Sequence, residues 1–204
     1  MQVQKKDPDR CSVFLNGSFA FGLHANVVVE AGLRKGLKLD GPACRRLVEQ
    51  DLYYKAFKRC LDYLAYRPRT EREIRIRLTD LAVPESVAER VMERLNELSF
   101  LDDARFARQF AASRARSRGY GPRRIEADLR RKGIDARTAR EAVSDACPPD
   151  SVDDQLKAQV EKALHRYRKE EDDQKRKNKI LAFLARRGFE SSAIREALRQ
   201  VASE

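Results

Sequence analysis

Gly121-Pro122-Arg123-Arg124-Ile125-Glu126-Ala127-Asp128-Leu129-Arg130-Arg131-Lys132-Gly133-Ile134-Asp135 contains one helix and both of its ends. Pro122 suits the first turn of a helix, and Ile125 and Leu129 lie one turn apart on one face. Gly133 fits the left-handed residue that closes a helix, and Asp135 can cap the next. The apolar skeleton of this phrase recurs twice, as Ile74, Leu78, Ala82 and Val83 upstream and as Ile180, Leu184, Gly188 and Phe189 downstream. A second amphipathic run follows each copy in register, because Val91-Met92, Ala142-Val143 and Ala197-Leu198 stand at one constant distance after Val83, Ile134 and Phe189. Copies roughly fifty residues apart have room for three helices each. The expected fold is therefore mainly α, with tandem three-helix repeats stacked into a curved solenoid, an architecture that binds along extended surfaces.

Residues 42–100 read as the first repeat, 101–147 as the second and 151–204 as the third. Pro42 to Tyr66 carries Leu47, Leu52, Phe57, Leu61 and Leu64, one long helix or two in tandem, closed before Pro68 because a residue preceding proline disfavours the α region. Thr70-Glu71-Arg72-Glu73 is a capping box opening a helix that runs to Leu81, and Pro84-Glu85-Ser86 opens the next. Asp102 or Asp103 caps the helix of Phe106 and Phe110, which Gly119 to Pro122 breaks. Pro148-Pro149-Asp150 reads as a linker, followed by a helix around Gln155 to Arg168 and another starting near Asp172.

Residues 1–40 differ from the repeats. Cys11 to Leu15 and Ser18 to Phe21 are β-prone runs around Asn16-Gly17, the dipeptide best suited to a type I′ hairpin, and Val3-Gln4 is a candidate third strand. His24 to Leu33 reads as a short helix ending near Gly36, with Leu37 to Leu39 a candidate return to the sheet. The expectation is a small N-terminal β-hairpin module appended to the repeats.

The sequence is 37% charged, with a formal net charge of +11. No stretch approaches the length and apolarity of a membrane span, and the polar start from Gln2 to Arg10 is not followed by a signal-peptide core, so a cytoplasmic location is expected. Cys11, Cys44, Cys60 and Cys147 form no C-x-x-C pair and the histidines are His24 and His165, so no metal or other cofactor is expected and the cysteines read as reduced, small apolar residues. P-loop, G-x-S-x-G and H-E-x-x-H motifs are absent. Asp102-Asp103 and Asp172-Asp173 sit where helix caps belong, so the chain is not expected to be an enzyme.

Cations crowd the middle repeat, at Arg114, Arg116, Arg118, Arg123, Arg124, Arg130, Arg131 and Lys132. Arginine predominates, and its planar fork suits bidentate contacts to phosphate or to the carboxylates of an acidic protein. Arg67 and Arg69 before one helix, and Arg186 and Arg187 at the end of another, are further candidates. Aromatic residues interleaved with these arginines are scarce, with Tyr120 the main candidate, which favours contact with a nucleic-acid backbone over base stacking. A DNA-reading helix-turn-helix is disfavoured, because the third helix of each unit repeats an apolar stripe where a recognition helix exposes polar residues.

Leu64-Ala65-Tyr66-Arg67-Pro68-Arg69-Thr70 with Glu73, Leu101-Asp102-Asp103 with Phe106-Ala107, Gly121-Pro122 with Ile125, Leu129 and Lys132-Gly133-Ile134, and Leu184 to Phe189, in this order, resemble the RecX family. Val13 to Phe21 resembles the N-terminal module of its longer members. The resemblance implies a non-enzymatic regulator that lies in the groove of the RecA–DNA filament, contacts more than one protomer and depresses RecA's recombinase, ATPase and coprotease activities; the chain itself is expected to be a monomer. The alternative is a protein that binds the backbone of single- or double-stranded DNA directly through its arginine faces. In the first repeat Leu81-Ala82-Val83-Pro84 departs from the family's Lys-Gly-aromatic ending, and a different turn geometry is expected there because alanine tolerates the left-handed cap poorly.

Overall fold

The computed structural model describes residues 2–4 and 7–201, which form two compact units meeting in sequence at Leu101 and Asp102. The first unit opens with β1 (Gln2–Gln4), β2 (Asp7–Leu15) and β3 (Ser18–His24), an antiparallel sheet in the order β1-β2-β3. Leu15 pairs with Ser18, and the intervening Asn16 and Gly17 have φ of 51° and 88°, the two positive values a type I′ turn requires. Helix α1 (Ala25–Glu30) is shorter than expected, and Gly32 at φ 58° closes it. Leu37 to Leu39 does not return to the sheet. Leu39 packs on the sheet-helix core as a single side chain, and Asp40 accepts from the Ala43 amide at 2.7 Å to start α2 (Gly41–Tyr66).

Helix α2 is one continuous element that serves two cores. Near its start Leu47 packs with Val13, Leu23 and Val27 of the sheet module. Farther along, Ala56 and Cys60 pack with Ile74, Leu78, Val91, Met92 and Leu95 from α3 (Glu71–Asp80) and α4 (Glu85–Glu97). Between the two cores lies Asp51, only 3% exposed. Its carboxylate accepts from Arg10 of β2 at 3.2 Å, from the His24 backbone N–H at 2.7 Å and from Lys55 at 2.7 Å. Burial raises the pKa of this group, but the Lys55, Arg10 and His24 hydrogen bonds outweigh it and hold the carboxyl below its ordinary value. A charge inside the unit thus ties sheet to helix, stable because every partner is in place.

The second unit comprises α5 (Asp103–Arg118), α6 (Pro122–Arg131), α7 (Ala136–Ala146), α8 (Pro149–Arg166), α9 (Asp173–Arg186) and α10 (Ser191–Val201). Ile125, Leu129, Ile134, Ala142 and Val143 meet Phe106, Ala107 and Ala111 in one core, and Ile180, Leu184, Phe189, Ile194 and Ala197 meet Leu156 and Val160 in the next. The expected linker Pro148-Pro149-Asp150 proves to be a helix start. Pro148 is the N-cap, Pro149 occupies the first turn where its missing N–H costs nothing, and Asp150 complements the helix dipole, so α8 begins before Gln155. Val152 in the resulting first turn packs against both cores. Cys60 and Cys147 are buried, Cys11 and Cys44 half-buried, and all four are free thiols.

Each copy of the repeated phrase ends in the same hydrogen-bond pattern. The amides of Val83, Ile134 and Phe189 donate to the carbonyls of Leu78, Leu129 and Leu184 at 3.1, 3.2 and 3.3 Å. Those of Ala82, Gly133 and Gly188 donate to Thr79, Arg130 and Ala185, completing a Schellman motif in all three. Ala82 therefore departs from expectation. Its φ is 52°, in the left-handed region with Gly133 and Gly188 at 92°, because the two hydrogen bonds and the packing of Val83 impose the turn despite its Cβ. Ser99, at φ 56°, ends α4 the same way, its amide bonding Asn96 and that of Phe100 bonding Leu95.

Relief of the left-handed alanine makes Ala82→Gly stabilising by about 0.5–1 kcal/mol in urea unfolding. A lowered Asp51 pKa means its stabilising contribution is complete above the unfolded value and lost as pH falls through the folded one. The first unit should accordingly weaken below about pH 4. Asp51→Asn should start less stable and show a flatter acid dependence, measured by unfolding followed by circular dichroism across pH.

Candidate functional site

The expected binding arginines divide into two groups once their neighbours are known. Helix α6 has no side-chain cap at Gly121; the end of α9 takes that role. The Gly121 amide donates to the Arg187 carbonyl at 2.7 Å and the Arg123 amide to the Gly188 carbonyl at 3.3 Å, so unsatisfied donors of one helix meet unsatisfied acceptors of another, with their dipoles opposed in sign. The approach requires two residues without side chains. A Cβ on Gly188 would lie 2.3 Å from the Arg124 nitrogen, and one on Gly121 would lie 2.6 Å from the Gly188 oxygen.

Arginines brace this backbone contact from both sides. Arg124 donates to the Arg186 carbonyl at 2.7 Å, and its guanidinium lies over the Tyr120 ring at 4.5 Å. Arg187 donates to the Arg118 carbonyl at 2.7 Å and covers Phe183 at 4.8 Å. Arg123 pairs with Glu190, and Arg131 with Asp128. Lys132 sits over Phe106 and Phe110 at 5.6 and 5.8 Å. In the first unit Arg67 bridges to Glu73 at 3.0 Å, while Arg69 stacks 3.8 Å from the Tyr63 ring centroid. The arginine fork that suits a phosphate suits a helix-terminal carbonyl or an aromatic face equally well, and here those internal partners hold it.

Arg116, Arg118, Arg130 and Arg186 are different. Their side chains are exposed and, among the described residues, form no hydrogen bond or ion pair. Arg105 and Arg108 of α5 are exposed in the same way and were not singled out from the sequence. Their signal was available: Arg105 and Arg116 share the side of α5 away from the buried Ala107 and Ala111, and Arg108 flanks the buried stripe. Each of these uncompensated guanidinium groups, on α5, α6 and α9, is a local source of positive potential that attracts phosphates or carboxylates within a Debye length. Among the described residues, no group of histidine, cysteine or carboxylate side chains is arranged to hold a metal, and no helix is long and apolar enough to cross a membrane.

Gly188→Ala combines a severe overlap with an unfavourable φ and should cost the second unit about 3 kcal/mol in equilibrium unfolding. Gly17→Ala, where a Cβ meets open space, should cost only its φ penalty, about 1–2 kcal/mol.

Comparison with known proteins agrees with this repeat structure. The family model for the N-terminal domain of regulatory protein RecX matches residues 1–40, and those for the first, second and third three-helix domains of RecX match residues 56–95, 102–143 and 151–198. Regulatory protein RecX of Bacillus subtilis is 32% identical over 204 residues, covering 100% of this chain and 76% of that protein. Regulatory protein RecX of Clostridium acetobutylicum is 30% identical, covering 100% of this chain and 95% of the relative. A crystal structure of a regulatory protein RecX superposes with a TM-score of 0.79 at 29% identity, over 96% of both chains. RecX from Lactobacillus salivarius shares the fold, with a TM-score of 0.66 at 24% identity over 76% of this chain and 99% of the other. Four domain matches in order and full-length relatives establish that the chain belongs to the RecX family of regulatory proteins.

Proposed function

We propose that this protein regulates the RecA recombinase without performing chemistry, by binding in the groove of the RecA–DNA filament and depressing ATP hydrolysis, strand exchange and coprotease activity. The observation that carries the reading is the set of exposed arginines in the second repeat, Arg116, Arg118 and Arg130, that lack internal partners among the described residues, in a chain that belongs to a family of regulators. A protein surface rich in carboxylates, or phosphates exposed along a filament, would complement it. Arg124 and Arg187 take no direct part in this reading, because their guanidinium groups brace the repeat junction.

The alternative, direct binding to the DNA backbone, rests on the same arginines and predicts a steep dependence on salt. Arg116→Glu, Arg118→Glu and Arg130→Glu in one chain separates the two. Inhibition of RecA ATPase on single-stranded DNA should fall at least about tenfold, with a smaller loss on bare DNA. Equal losses in both assays favour the alternative, and wild-type protein that leaves ATP turnover and filament length unchanged at saturation refutes the proposal.

A further inference from the structure

From Cys11 to Leu23 the chain contains no Asp, Glu, Lys or Arg, although the sequence is 37% charged. This stretch is the distal part of the β2–β3 hairpin, and near its tip two phenylalanines face water. Phe19 is 61% exposed and Phe14 39%, and their rings meet edge to face with centroids 6.0 Å apart. The arrangement departs from plain β alternation. Val13 pairs with Phe21 but Phe14 pairs with Phe19, so Ala20 is an extra residue in β3 and the ladder is bulged there. Simple alternation along β3 would set Phe19 on the side of Phe21 and the fully buried Leu23. Instead the bulge pairs Phe19 with Phe14, re-aiming a large apolar side chain away from the core, at the expense of one ladder pairing.

We infer that the Phe14–Phe19 tip is a docking element that inserts into an apolar pocket on the protein partner of the proposed function, so the inference rests on that reading. The absence of cations from Cys11 to Leu23 disfavours a phosphate backbone as the target of the tip. A second copy of this chain is also disfavoured, because two partly exposed phenylalanines offer far less than the roughly 800 Å² per partner of a stable interface. Paired aromatics suit the central anchor of an interface whose polar contacts are made elsewhere. The exposed arginines of the second repeat govern the encounter, and the hairpin governs how long the complex lasts.

Surface-immobilised RecA filaments on single-stranded DNA test this by binding kinetics at several salt concentrations. Phe19→Ser should speed dissociation about tenfold or more. It should leave the association rate, its salt dependence and the melting temperature of the free protein unchanged. Phe19→Leu, which keeps an apolar tip, should recover most of the residence time. Dissociation of Phe19→Ser at the wild-type rate overturns the inference while leaving the proposed function standing. Wild-type protein that fails to bind the filament overturns both. Self-association of the wild type in sedimentation, abolished by Phe19→Ser, overturns it in favour of a second copy, and failure of both Phe19→Ser and Phe19→Leu to fold assigns Phe19 to the hairpin's stability and overturns it too.

Discussion

The hydrogen bond from an apolar residue just past a helix back to a leucine carbonyl inside it is the constraint on which the repeats depend. Made by Val83 to Leu78, Ile134 to Leu129 and Phe189 to Leu184, it turns the chain and returns that apolar side chain to the core in the same step. The helix end and the core thereby become one feature. The following helix starts at a set angle, capped by Asp135 in the second repeat, and its own apolar pair falls into register. Strength at this corner explains how an alanine persists at φ 52° in the first repeat.

In the second unit the same corner does additional service. Because Gly188 has no Cβ, the end of α9 comes close enough to complete the start of α6, and the two repeats join through main-chain hydrogen bonds as well as apolar contact. Arginines at the corner then find carbonyl and aromatic partners nearby. Charge density in a sequence thus overstates the surface available for binding: neighbouring arginines divide between bracing the fold and facing solvent.

Much of the architecture was legible because it rests on local chemistry. The capping box at Thr70 and Glu73, the Asn16-Gly17 hairpin, the aspartate caps at Asp102, Asp135 and Asp172, and the apolar spacing of the repeats act within a few residues of where they are read. Features that depend on distant partners were not. The left-handed Ala82 contradicts its intrinsic preference and is held by packing. Pro148-Pro149 reads as a break until Val152 is seen to need a helix that delivers it to two cores. Arg124 and Arg187 resemble solvent-facing cations until the carbonyls of Arg186 and Arg118, far along the chain, are seen beside them.

Helix α2 runs unbroken from beneath the sheet module to the first repeat. At about 1.5 Å per residue, a helix of 26 residues spans about 39 Å, so the hairpin module and the first repeat are mounted on a common strut. The two lack independent fates. Cutting the chain after Asp40 would strip Leu47 of its apolar neighbours and leave Asp51 without Arg10 and the His24 amide, an under-compensated carboxylate on the face where the sheet had been. Removing the sheet would therefore require replacing the half of α2 beneath it as well.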